Sequence, residues 1–231
     1  MAVRQRAVGA QDKEERRAAI LDAAERLFLR QPDRMASVAE VAHAAGVAKG
    51  TVYLYFPGKE EMLLALHERH TQGFFERFMR LLGDGPVDFD SIFAVAREHF
   101  VAAPGRLALT SWCFAMMDRE MPLEAAIAFK LRVGQSVATA GTALEAHFPA
   151  LAPGAGARLL QHSLSLMIGL YQFIHPNQRF GRALEKSGIK VYMRDFEVEI
   201  ERALRALWSG TIAPAKPAAM RGRRTPKGAT P

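Results

Sequence analysis

Hydrophobic positions in the first quarter of the chain recur at helical spacing. In KEERRAAILDAAERLFLR, Ile20, Ala24, Leu27 and Phe28 fall on one stripe, which predicts an amphipathic helix with a single face to bury. Ser37 followed three residues later by Glu40 is a capping-box start, and Val38, Val41, Ala42 and Ala45 continue at the same period. Gly46 suits the left-handed backbone that ends such a helix, and small Ala42 four residues before it lets a second helix cross closely. That second helix turns Val47, Val52 and Phe56 inward and leaves Lys49, Thr51, Tyr53 and Tyr55 for solvent or for a partner.

After Lys59 the pattern predicts one long helix, EEMLLALHERHTQGFFERFMRLL, interrupted or bent near Gly73. GDGPVDFD then reads as a loop and a helix start. Further helices are expected at about Asp90 to Ala103, Gly105 to Asp118, Pro122 to His147, Pro153 to Ile174 and Ile189 to Trp208, with prolines marking their ends. No alternating strand pattern of useful length and no internal repeat is present. The predicted fold is all-α: a small N-terminal three-helix domain followed by a larger helical one.

Two short helices meeting at a glycine, with lysine, threonine and tyrosine on the outer side of the second, are the layout of a helix-turn-helix DNA reader. The stretch SVAEVAHAAGVAKGTVYLYFPGK, Ser37 to Lys59, closely resembles the N-terminal signature of the tetracycline-repressor (TetR) family, T-V-x-x-I-A-x-x-A-G-V-S-K-G-T-L-Y-x-Y-F-x-x-K. With the preceding helix, about fifty residues carry the likeness. Three departures stand out: Ala36 where the family often has threonine, Ala48 where it often has serine, and Leu54 at the variable recognition position. Two hydroxyls near helix starts are lost, and Leu54 can meet a thymine methyl but cannot hydrogen-bond a base edge.

The resemblance implies that Ser37, Thr51, Tyr53, Tyr55 and Lys59 hold phosphates while Lys49, Gly50, Thr51 and Leu54 face the major groove of double-stranded DNA. It implies a homodimer, because one short recognition helix covers few base pairs and two related by a twofold axis read a palindromic operator. It also implies a helical effector-binding and dimerisation domain behind the reader. The domain reading is a flexible basic arm over 1–11, the DNA-binding domain over 12–59, the effector and dimer domain over 60–210, and a disordered basic tail over 211–231.

Charge refines this picture. The net charge of +7 equals the contribution of Arg4 and Arg6 at the start with Lys216, Arg221, Arg223, Arg224 and Lys227 at the end, so the body between is neutral. We expect the ends to supply long-range attraction toward a phosphate backbone; a merely solvating tail, kept open by its prolines, is the alternative. The single Cys113 excludes an internal disulfide and fits a reducing cytoplasm. No signal peptide is evident. The longest apolar run, Leu164 to Ile174, falls well short of the roughly twenty residues that span a bilayer, and no membrane association is expected.

In the larger domain His162, Ser165, Gly169 and Gln172 share a face of an otherwise apolar helix, favouring a dimer seam over a ligand-lining face. His99, Trp112, Cys113, Met116, Met117 and Phe129 are the candidate effector-pocket residues, with plain core as the competing reading. An apolar or aromatic effector suits them, since the middle helices lack a concentrated cationic cluster. No cofactor or metal is expected: His67 and His70 sit one turn apart without an evident third ligand. The S-x-x-K spacing of Ser187 to Lys190 lacks its companion motifs and carries no enzyme reading. The expected function is an effector-released repressor, with an activator of the same family, a helical enzyme and an architectural DNA binder as alternatives.

Overall fold

The computed structural model describes residues 2–32, 34–117, 119–176, 178–188 and 194–213, with the backbone alone at 2–10, 104, 178 and 179. Helix α1 (Ala2–Arg30) is followed by the short α2 (Val38–Ala45) and α3 (Lys49–Tyr53), and then by the long α4 (Lys59–Gly83). Next come α5 (Phe89–Ala96), α6 (Pro104–Met117), α7 (Leu123–His147), α8 (Ala155–Ile174), α9 (Gln178–Ser187) and α10 (Phe196–Ile212). No strand occurs among the described residues. No single described helix is long and apolar enough to cross a membrane.

Several expectations change. Residues 1–11 were expected as a flexible arm, yet α1 starts at Ala2; alanine, arginine and glutamine around Gly9 are helix formers that one glycine does not outweigh. Helix α4 runs through Gly73 without interruption, since strong helix formers and packed Phe74, Phe75 and Phe78 flank a single residue costing about 1 kcal/mol. The helix expected over Asp90 to Ala103 starts one residue earlier, capped by Asp88, and widens into a π-helical turn over Arg97–Val101. In that turn the Ala102 N–H donates to the Arg97 carbonyl. Pro153 and Gly154 form a turn before α8, with Gly154 at φ +80°. Helix α9 was not anticipated. The last helix begins at Phe196 under an Asp195 cap and extends to Ile212; the expected start at Ile189 lies outside the described residues, as do Lys190 and the five basic residues of the tail.

Among the described residues two clusters form the core. One joins Ile20, Leu21, Ala24 and Phe28 of α1 to Val41, Val52 and Phe56 of the reader, and continues into Met62 and Leu66 of α4 and Leu109, Cys113 and Met116 of α6. Reader and larger domain therefore share one apolar interior. The other cluster gathers Phe78 and Leu82 of α4, Phe93 and Phe100, Leu144 of α7, Leu159 of α8, and Ile200, Leu204 and Trp208 of α10. Helices α7 and α8 touch backbone to backbone: a Cβ on Gly141 would lie 2.3 Å from the Ala157 nitrogen, and one on Gly156 would lie 2.2 Å from the Gly141 oxygen. The Gly156 N–H donates to Glu145 at 2.9 Å and fixes the crossing.

Candidate DNA interface and effector cavity

The reader is assembled by its caps. Ser37 Oγ accepts from the Glu40 N–H at 3.3 Å, and the Glu40 carboxylate accepts from the Ser37 N–H at 2.8 Å. Arg34 grips that carboxylate through both nitrogens at 3.0 and 2.7 Å and, with the Ser37 bonds, holds the Glu40 pKa down to about 2. Gly46 adopts φ +66° and donates back to α2, and the Val47 N–H donates to the Ala42 carbonyl at 3.0 Å. This left-handed turn throws α3 across α2.

The same turn buries Val52 and Phe56 and leaves Lys49, Gly50, Tyr53 and Leu54 as one exposed face, with Leu54 80% accessible. The Lys49 ammonium sits 5.8 Å from the Tyr53 ring centre. Thr51 is half-buried beside this face, and half-buried Tyr55 packs on the core. Exposed Ser37 stands at the start of α2, and Lys59 lies 3.6 Å from Glu60 at the start of α4. The structure thus gathers Lys49, Gly50, Tyr53 and Leu54 on one surface, while the Ser37 hydroxyl is engaged in its own cap. Arg34, which anchors that cap, escaped the sequence reading because its partner lies across a loop.

Behind the reader, Arg69 on α4 donates to Asp22 at 2.6 Å and to Glu25 at 2.7 Å, both on α1. His70 reaches the other Glu25 oxygen, and its hydrogen bond leads the causes that lower the Glu25 pKa. From α6, the Trp112 indole N–H donates to the Pro32 carbonyl at 3.0 Å, in the α1–α2 connection.

Helices α4 to α8 and α10 enclose a cavity of about 400 Å³, a size suited to a small organic molecule. Its wall is aromatic: Phe74, Phe75 and Phe78 from α4, Phe89 and Phe93 from α5, and Trp208 from α10. Of the six expected pocket residues only Phe129 lines it. Cys113, Met116 and Met117 face the core shared with the reader, and burial pushes the Cys113 thiol up to about 12. Trp112 serves the α1–α2 connection. His99 stands behind Phe74 and Phe100, accepting from Arg106 at Nδ1. Burial, with Arg106 nearby, drives its pKa down to about 3 and keeps it neutral.

The misplacement has a physical cause: α6 turns its Trp and Met side toward α1 and α4, a choice that helical spacing alone does not reveal. The missed signal was the repetition of phenylalanine at one-turn spacing, at 74, 75 and 78 and again at 89 and 93. His67 also lines the cavity, with its pKa lowered by burial to about 4. His70, by contrast, turns to Glu25. Among the described residues no group of three His, Cys, Asp or Glu side chains is placed to hold a metal ion. On α8, His162, Ser165, Gly169 and Gln172 are exposed along one side, and Ser165 also reaches the cavity rim.

Sequence comparison meets this geometry at both ends. Residues 20–66 match the family described as "Bacterial regulatory proteins, tetR family", and residues 68–215 match "Tetracyclin repressor-like, C-terminal domain". The chain belongs to the TetR family of transcriptional regulators.

Among TetR-family relatives, the fatty acid metabolism regulator protein of Bacillus subtilis is 31% identical over 86 residues, covering 37% of this chain and 44% of that protein. The regulator EthR of Mycobacterium tuberculosis is 36% identical over 77 residues, covering 33% and 35%. The chain therefore spans less than half the length of these curated relatives. Solved structures extend the likeness in fold. Thermus thermophilus FadR in complex with lauroyl-CoA has a TM-score of 0.60 at 23% identity, covering 87% of this chain and 98% of that one. A TetR-family regulator from Mesorhizobium loti has a TM-score of 0.57 at 18% identity, covering 87% and 96%.

Proposed function

We propose that this TetR-family chain is a repressor that binds a palindromic operator as a homodimer and is released when an apolar small molecule fills the cavity among α4 to α8 and α10. One observation carries the reading. Helix α4 packs against the reader at its first turns and walls the cavity with Phe74, Phe75 and Phe78 further along, so one continuous helix joins the two regions. The relative named as a fatty acid metabolism regulator supports an apolar effector.

In this reading Lys49, Gly50, Thr51 and Leu54 meet base edges while Thr51, Tyr53, Tyr55, Lys59 and the α2 start at Ser37 hold phosphates. The exposed line His162, Ser165, Gly169 and Gln172 on α8, beside α10, forms the seam of the dimer. The effector acts by preferring the conformation whose two readers are wrongly spaced, and it shifts the balance only by that difference in affinity.

Selection of bound fragments from genomic DNA, followed by titration of the recovered site, tests the reading. The protein should prefer its own site over random duplex by at least ~1000-fold. Tyr53→Phe should weaken all sequences alike, and Lys49→Ala should weaken binding and relax preference at one position per half-site. A monomer without preference among fragments would refute the proposal.

A further inference from the structure

Polar groups in the cavity are unevenly free. Deep in the wall each hydroxyl already donates to a helix carbonyl: Thr71 to His67, Thr110 to Arg106, and Ser163 to Leu159. The Trp208 indole N–H is engaged too, donating to Ser163 at 2.9 Å. His67 is held neutral by burial. Among the described residues the N–H of the neutral His67 ring is the donor left there, so a charged group carried into this interior would lose its water and meet no opposite charge.

The exposed rim differs. Lys130 and Gln161 stand there without a carboxylate partner among the described residues, and the Lys130 ammonium lies 4.2 Å from the centre of the Phe114 ring. Among the described residues no aspartate or glutamate lines the cavity, and Lys130 is the one lysine or arginine that does. We infer that the effector is an amphipathic monoanion, one carboxylate resting on Lys130 and Gln161 with an extended apolar body directed toward Trp208.

The inference rests on the cavity being the effector site and narrows what enters it. A cationic head would meet Lys130 with no acid to balance it. A coenzyme A thioester would bring several phosphates to a rim with one cation, whereas multiple phosphates call for several cationic partners.

Calorimetric titration of the full-length dimer with octanoate, decanoate, decanol, decylamine and decanoyl-CoA tests this. Affinity should rise about fourfold per methylene, the ~0.8 kcal/mol of each buried CH₂. Decanoate should bind at least tenfold more tightly than decylamine or decanoyl-CoA. Lys130→Met should cost decanoate roughly tenfold and leave decanol unchanged, while Lys130→Arg should retain most of the affinity; a melting curve of each variant guards against misfolding.

Equal binding of decanoate, decanol and decylamine, with release of operator by all three, would overturn the charged-head assignment and leave the cavity reading standing. Tighter binding of decanoyl-CoA than of decanoate would overturn the single-charge assignment. Failure of every ligand to bind or to release operator would overturn the cavity reading itself.

Discussion

His70 on α4 and Glu25 on α1 meet at 2.9 Å through Nε2 and a carboxylate oxygen, while Arg69 holds the other oxygen of the same carboxylate. This clamp is the polar half of the contact whose apolar half is the core around Ile20 and Leu66. Because its partners lower the Glu25 pKa, the clamp's contribution to stability is full above the unfolded carboxylate pKa and is lost as pH falls through the lowered one. Glu25→Gln should reduce unfolding free energy by about 1 kcal/mol near pH 7. In denaturant titrations that difference should shrink toward zero in acid; a constant difference at all pH values would contradict the assignment.

His67 and His99 work in the opposite sense to a salt-bridged histidine. Burial lowers their pKa values to about 4 and about 3, so the unfolded chain binds protons that the folded one refuses. Stability should be full above pH ~6.5, the ordinary histidine value, and decline as pH falls toward 4. Among the described residues the His67 ring has no hydrogen bond to lose, and His67→Leu should reduce this decline, leaving the part that His99 contributes. Melting temperature measured across pH 4 to 8 reads the effect directly.

Gly141 and Gly156 allow α7 and α8 to meet with no side chain between them. Gly141→Ala places a methyl group against the Ala157 backbone, which cannot retreat as a flexible side chain would. Although alanine is the better helix former, the clash should win, with a net loss of about 1 to 3 kcal/mol. An unchanged melting temperature would show that the helices separate freely.

Gly169 is the contrasting case, with nothing within 4 Å of the position its Cβ would occupy. Gly169→Trp should leave the stability of the monomer unimpaired and weaken self-association at least tenfold. Sedimentation equilibrium separates the two effects, and an intact dimer would move the seam away from α8.

Cys113 is fully buried, its thiol donates toward the Leu63 carbonyl at 3.7 Å, and burial pushes its pKa up to about 12. Only the thiolate attacks electrophiles. Native protein at pH 8 should therefore resist thiol reagents, and the reaction should appear on unfolding; rapid labelling of folded protein would place Cys113 at the surface.

The reader was legible because its determinants are local: the Ser37 and Glu40 cap, the Gly46 turn and the period of Val38, Val41 and Val52 all act within a few residues. The larger domain was legible as helices but not as a site. Whether Trp112 and Met116 look into a cavity or onto α4 depends on how α6 is rotated about its axis, and that is decided by partners more than forty residues away, such as Leu63 beside Cys113. The cap that Arg34 completes rests on a contact across a loop, and α9 is a short, mostly polar helix whose apolar stripe is limited to Phe180, Ala183 and Leu184.

The unbroken course of α4 past Gly73 has a geometric consequence. Twenty-five helical residues make a rod of about 37 Å. A pivot of only about 5° at the phenylalanines, about 25 Å from the Lys59 end, swings that end sideways by roughly 2 Å, more than half the ~3.4 Å rise of one base pair along a DNA strand. A hinge at Gly73 would absorb such a swing; in the proposed mechanism an unbroken helix would instead pass it on, so that a small adjustment around a bound molecule displaces the reader relative to the duplex.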